Sequence, residues 1–292
     1  MKSAIALLYE KPNDVWTEKL NKLSFESILK YSNNMTVYLG TSSPASVPDY
    51  MKEFPNLEIV DLRDSAISLN IKSTLEVSST WGDVNFNKMM LLKFELIDKI
   101  SRNADFITYS DLDIVWRGDV LLALQSLIER KKTADLFFQD QTFKIDEPRL
   151  CAGFFAFRNS DTSRNFFESA FAQQQTKLSE LGNYDDQEAM IDIMLSEDFA
   201  DSCYLLPQTI FPTGYLMPLY RKSSYFPALK RPNPLIFHSN FVVGGKRKLA
   251  LLKKASMIQD SLSLRFFFFT NMVLPFQENI RILKNAFNVR FR

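Results

Sequence analysis

Three side chains carry the strongest chemical signal in this sequence: Asp111 and Asp113, separated by one residue, and His238, the single histidine of 292 residues. Two carboxylates so spaced at a strand end can face one hard cation. Mn2+ and Mg2+ favour oxygen ligands and typically take one or two carboxylates, with phosphate oxygens and water completing the shell. A cation held this way neutralises a departing diphosphate, which is Lewis-acid chemistry. The bare spacing is weak support, because with 20 aspartates in the chain about one such pair is expected by chance. Solvated turn carboxylates would give the same pattern. His238 adds weight, since a neutral imidazole is a good third ligand for manganese. The alternative is a partly buried histidine satisfied by one backbone bond. Gly244, Gly245 and Lys246 follow it, so that backbone and an ammonium could approach a phosphate oxygen together.

The elements that must position these residues read as an α/β domain. Ala4–Tyr9, Met35–Leu39 and Leu57–Val60 are short apolar runs that predict strands, and Thr17–Tyr31 predicts an amphipathic helix. Alternation of this kind argues for βαβ units around a largely parallel sheet. Phe86–Ile100 reads as a strong helix, and Phe106–Tyr109 as a buried strand that runs directly into Ser110-Asp111-Leu112-Asp113. In open α/β sheets ligands bind beyond the carboxyl ends of strands, which is where this places both aspartates. A helix at Asp119–Lys131, strands near Leu136–Gln139 and Ala152–Arg158, and a helix at Asp161–Gln175 follow. Asp119 suits an N-cap, and Asp135, Asp140 and Asp146 read as loop charges. The stretch Leu206–Pro234, rich in Pro, Tyr and Gly, reads as a long ordered loop that covers something. Its aromatics, with Tyr204, Phe211, Tyr215, Tyr220 and Tyr225 the candidates, could line a sugar-binding groove or simply pack the loop.

Composition removes several chemistries. Two cysteines and one histidine cannot close a structural zinc tetrahedron without carboxylates. Cys151 and Cys203 form no CxxC pair and read as buried thiols of a reducing compartment. No GxxxxGK[ST] or GxGxxG run occurs, so P-loop and dinucleotide-fold readings lose their main support. Side chains and a metal must then do much of any phosphate binding. The first apolar run is too short for a signal peptide, and no segment offers the roughly 20 apolar residues of a membrane span; the expected location is cytoplasmic.

Five segments, taken in order, resemble the nucleotide-diphospho-sugar transferases related to plant cell-wall xylosyl- and arabinosyltransferases, and more distantly the glycogenin-like and lipopolysaccharide galactosyltransferases. They are Phe86-Asn87-Lys88 with Lys93, Tyr109 to Asp119, Cys151 to Arg158, Asp185-Asp186-Gln187, and the pair Phe211–Tyr215 and His238–Gly244. The resemblance implies a GT-A fold, a nucleotide-sugar donor (most often a UDP-sugar), Mn2+ or Mg2+, and retention of anomeric configuration. It places the metal on Asp111, Asp113 and His238. It implies donor contacts from Lys93, Asp111, Ala152, Gly153, Gly244 and Lys246, and puts Asp186 and Gln187 at the sugar's reacting carbon. The family usually has Asn where Cys151 stands and Trp where Phe241 stands.

On this reading residues 1–245 form the catalytic domain, the acceptor is a glycan or glycoconjugate, and nucleic acid is not a partner. Residues 246–292 carry ten Lys/Arg against two acids, a net of +8, while the rest carries 25 basic and 32 acidic residues, a net of −7. Such asymmetry suggests an acidic partner surface for the tail. With its aromatic run Phe266–Phe269, the tail either packs on the body as helix or lies peripherally on an anionic membrane. The competing functions are a sugar-phosphate nucleotidyltransferase, which would normally show a glycine-rich loop that Ala4–Asn13 lacks, and a non-catalytic nucleotide-sugar-binding module.

Overall fold

The computed structural model describes residues 2–32, 35–71, 83–142, 147–214 and 234–257, with side chains to residue 253. Tyr215, Tyr220, Tyr225, Asp146 and the tail beyond residue 257 lie outside these. A seven-stranded sheet forms the centre, in the order β3 (Leu57–Asp61), β2 (Thr36–Thr41), β1 (Ser3–Leu8), β4 (Phe106–Ser110), β7 (Leu150–Arg158), β6 (Leu136–Asp140), β8 (Cys203–Leu206). Pairings β3/β2, β2/β1, β1/β4 and β6/β8 are parallel. The expected parallel sheet is thus largely present, but β7 enters antiparallel to both of its neighbours.

Alternating side chains on each strand supply two cores, as the two-residue period of a strand requires. The short helices α2 (Asp49–Lys52) and α3 (Arg63–Ser68) precede and follow β3 in the chain. Ala4, Ala6, Ile107, Tyr109, Phe138, Phe155 and Phe157 face α4 (Val84–Ser101), α6 (Asp161–Leu181) and α7 (Asp186–Met194). Ile5, Leu7, Val37, Leu39, Phe106, Phe137, Phe154 and Ala156 face α1 (Val15–Lys30) and α5 (Val120–Arg130). Phenylalanine does much of the filling: Tyr109 stacks on Phe155 with centroids 4.9 Å apart, and Phe154 stacks on Phe211 at 5.7 Å. Phe211 is therefore a buried packing residue. Tyr204 lies edge-on to Phe137.

Two irregularities position the site. The first is a break in register between β6 and β7, where Phe138 opposes Phe155 but Gln139 opposes Cys151. Ala152, Gly153 and Phe154 bulge out of the β6 ladder, and bulges commonly re-aim side chains beside functional sites. The second is a two-stranded antiparallel ribbon of β5 (Ile114–Trp116) and β9 (Ile236–His238), with Ile114 opposite His238. It brings distant parts of the chain side by side at the carboxyl end of β4. Helix α8 (Gly245–Met257) then packs across α1. The approach is close at Gly245, where a Cβ would lie 2.7 Å from the Thr17 amide nitrogen. No helix among the described residues is long and apolar enough to cross a membrane.

Asp119 caps α5 by accepting a hydrogen bond from the Leu122 amide at 2.9 Å. Replacing an N-cap carboxylate with alanine typically costs about 1 kcal/mol. Urea denaturation of Asp119→Ala should show this loss at unchanged m-value; a midpoint equal to that of the parent would show that the cap contributes nothing.

Candidate metal and donor site

Beyond the last residue of β4, the Asp111 amide donates to the Gly153 carbonyl at 2.8 Å, so the bulged segment of β7 holds the turn that follows. The Asp111 carboxylate accepts from the Tyr109 hydroxyl at 2.8 Å and lies 3.9 Å from Lys93 Nζ. Burial raises this carboxyl's pKa; Lys93 opposes the shift and neighbouring Asp113 adds to it. Asp113 takes the opposite direction. Burial would raise it too, but Lys248 and His238 hold it well below the usual carboxylate range. Lys248 Nζ lies 2.6 Å from Asp113 Oδ2, and His238 Nε2 lies 3.1 Å from Oδ1. The ribbon fixes this geometry, because the Ser239 amide and hydroxyl both donate to the Asp113 carbonyl at 3.1 Å.

One ligand atom each from Asp111, Asp113 and His238 lies within 4.8 Å of the others. Asp113 Oδ1 is buried and accepts no well-aligned hydrogen bond, its polar neighbour being His238 Nε2. Two carboxylates and an imidazole suit a divalent cation of the manganese or magnesium class, and an unpartnered buried carboxylate oxygen is what such an ion would satisfy. These residues fit the group. The His238 imidazole is pushed up to about 10: burial disfavours its charge, and the Asp113 carboxylate opposite outweighs that. Gly153 forms the floor. A Cβ there would meet His238 Cε1, sit 2.7 Å from Asp111 Oδ2 and 3.0 Å from His238 Nε2, and so enter the space the three ligands share.

A second group adjoins the first. Lys93, 1% exposed, donates to the Ala152 carbonyl at 3.0 Å and pairs with the Asp186 carboxylate. Its ammonium also lies 4.8 Å from the Tyr109 ring centroid. Burial would lower its pKa, but Asp186 and Asp111 raise it above the ordinary lysine value. Asp186 opens α7, whose N-cap is Asp185 accepting from the Glu188 amide at 2.9 Å. Burial, then the Asp186 charge, push Asp185 up to about 6. The Ala152 amide donates to Gln187 Oε1 at 3.4 Å. Asp111, Asp113, His238, Ala152, Gly153, Lys93, Asp186 and Gln187 are therefore linked through a continuous set of contacts.

Lys246 stands apart. Its ammonium lies over the Trp16 ring, 5.2 Å from the centroid. Gly244, at φ +92, uses its carbonyl to accept from the Arg247 and Lys248 amides at the start of α8. Residues two apart on a helix do not share a face, so if Lys248 points to Asp113, Lys246 must point elsewhere. Lys248 was missed in the sequence, although a helix beginning at Gly245 would have separated the two lysines. Gln139, which lies behind His238, was also missed; its only signal is an amide breaking the apolar run Leu136-Phe137-Phe138.

A family model for nucleotide-diphospho-sugar transferases matches residues 61–252. The chain belongs to that family. It is a glycosyltransferase, and its fold is that of the GT-A class. The apo structure of mouse xyloside xylosyltransferase 1 is 10% identical and superposes with a TM-score of 0.53, covering 82% of this chain and 98% of that one. The glycosyltransferase GlyE of Streptococcus pneumoniae TIGR4 is 15% identical, with a TM-score of 0.55 over 89% of this chain and 61% of GlyE. The glycosyltransferase thus spans about three fifths of GlyE's length. At these identities the likeness speaks for the fold. No curated protein matches it.

Gly153→Ala should weaken Mn2+ binding by about 100-fold or more, at or beyond the upper end of what losing a supporting residue of a metal site usually costs. Titration calorimetry would measure the affinity, and a thermal melt would establish that the variant is folded. A folded variant with unchanged affinity would show that the ion does not occupy this cradle.

Proposed function

We propose that this glycosyltransferase transfers a sugar from a UDP-sugar to a glycan or glycoconjugate acceptor, using Mn2+ or Mg2+ and retaining anomeric configuration. The observation that carries the reading is the convergence of Asp111, Asp113 and His238 around the unpartnered Asp113 oxygen. A bound divalent cation would supply Lewis-acid stabilisation of the charge growing on the leaving diphosphate.

The chain's own residues do the rest. Lys248 brings a positive charge to the rim of the same carboxylate and can turn to a diphosphate oxygen, where it would favour the developing negative charge. Asp186 is held by Lys93, and so presents a fixed carboxylate to accept from sugar hydroxyls. Gln187 lies beside it with its carbonyl oxygen near the Ala152 amide. An amide is a weak nucleophile, and the Asp186 carboxylate is already engaged by an ammonium. Both points favour a front-face route in which the leaving phosphate helps take the acceptor's proton, with no covalent glycosyl-enzyme.

The other readings fare less well. A nucleotidyltransferase would normally carry a glycine-rich phosphate loop after its first strand, and Ala4–Asn13 contains no glycine. A non-catalytic module has no evident need for an unpartnered buried oxygen facing an imidazole. Use in a reducing compartment is part of the proposal, on the free thiols of Cys151 and Cys203.

A thermal-shift panel of nucleotide sugars, with and without Mn2+, should give its largest stabilisation for a UDP-sugar plus metal. Asp113→Ala should remove the metal-dependent shift and lower metal-stimulated UDP-sugar hydrolysis by about 100-fold or more, the scale of losing a major electrostatic stabiliser. Undiminished metal-stimulated hydrolysis in that variant would sink the metal assignment. An inverted anomeric centre in the product, read by NMR, would exclude retention.

A further inference from the structure

Gln139 is completely buried at the point where the β6/β7 register breaks. Its side-chain amide nitrogen donates to the Pro212 carbonyl at 2.8 Å and to the Phe211 carbonyl at 3.3 Å. Its Oε1 lies 2.8 Å from His238 Nδ1. The orientation of this amide is decided by its surroundings. Turned over, Oε1 would face two carbonyl oxygens, and those buried acceptors would lose their donor at a cost of about 1–3 kcal/mol. With the observed orientation an acceptor points at Nδ1, so Nδ1 must carry a hydrogen. The other neighbour of Nδ1, Cys151 Sγ at 3.6 Å, is farther away and a weak acceptor.

A cation on the ring takes the place of one hydrogen and leaves the imidazole with a single one; keeping that hydrogen on Nδ1 leaves the Nε2 lone pair aimed at the space beside Asp113 Oδ1, 3.1 Å away. We propose that Gln139 is the positioning residue of the metal site: through its amide, anchored on the Phe211 and Pro212 carbonyls, it selects the His238 tautomer whose Nε2 can bind a divalent cation. The inference rests on the metal reading of Asp111, Asp113 and His238 and adds a residue to it. Partners that orient ligating histidines in this way typically change metal affinity by about 10–100-fold when removed. Gln139 also ties the imidazole to the segment ending at Gly214, whose amide donates to Asn240 Oδ1 at 2.9 Å. Ring orientation is thereby shared between two strands and a loop.

Because His238 is the only histidine, protein labelled with 15N-histidine gives the signals of one imidazole, and long-range 15N–1H correlation reads its tautomer directly. In wild-type protein saturated with Mg2+, the hydrogen should be on Nδ1. Gln139→Met should weaken Mn2+ binding, measured by calorimetry, by about 10–100-fold, and should shift the Nδ1 nitrogen and proton signals of the Mg2+-loaded ring, whose hydrogen has lost its acceptor. Gln139→Glu keeps an acceptor towards Nδ1, and with one proton on its second oxygen it can still donate to the Phe211 or Pro212 carbonyl; it should give the wild-type Nδ1 signals. A wild-type ring carrying its hydrogen on Nε2 overturns the proposal, and this result needs no variant to fold. A folded Gln139→Met protein whose Nδ1 signals are unchanged overturns it too, whether its Mn2+ affinity holds or falls, since a fall would then come from packing. Absence of any Mn2+ binding by the wild type would instead overturn the metal reading itself.

Discussion

A buried ammonium is the constraint on which the site depends. Lys93 projects from α4 into the space between the sheet and α7, where a charge without partners would be strongly unfavourable. It is tolerated because Asp186, Asp111 and the Ala152 carbonyl converge on it. Each partner comes from a different element, namely the start of α7, the end of β4 and the bulge of β7. Holding Lys93 in place therefore fixes all three relative to one another. Removing either carboxylate would leave part of a buried positive charge uncompensated, a costlier change than losing an exposed pair. The arrangement trades some stability for definition: the Asp186 and Asp111 carboxylates share one cation as their reference point.

The bulge in β7 serves the same end by different means. A regular antiparallel strand would have committed the groups at Ala152 and Gly153 to the β6 ladder. Out of register with β6, this segment instead accepts from Lys93, donates to Gln187 and accepts from the Asp111 amide. The glycine at its centre leaves Asp111 and His238 room to approach. Backbone irregularity and missing side chain together open the space between them.

Much of this could be read from local pattern. The buried run Phe106–Tyr109 leading into Asp111, the cap at Asp119 and the helix over Phe86–Ile100 each rest on residues close in sequence, and each is found nearly where the pattern puts it. The grouping of Asp111, Asp113 and His238 was also identifiable, because a single histidine following an apolar run leaves few choices. Features set by tertiary contact were not legible. The α7 helix is short, and its first turn was read only as a chemical motif. Helix α6 continues to Leu181, past the point where its glutamine-rich stretch stops showing an apolar stripe. The antiparallel entry of β7, its bulge and the β5–β9 ribbon depend on which strands meet, which a window of neighbouring residues does not encode. Lys248 was passed over for Lys246 because the start of α8 decides which of two lysines points inward.

The β5–β9 ribbon has a consequence for the folded state as a whole. Its pairing of Ile114 with His238 closes a very long loop of chain, and the entropy of such a closure rises only slowly with loop length. The strands themselves are three residues each, which is little to hold the two parts together. A cation bridging Asp111 and Asp113 on one side and His238 on the other would behave as a reversible cross-link across that closure. Any ion that binds the native chain and not the unfolded one adds stability that grows with the logarithm of its concentration relative to its dissociation constant. An ion held here would thus also fasten the chain's two halves.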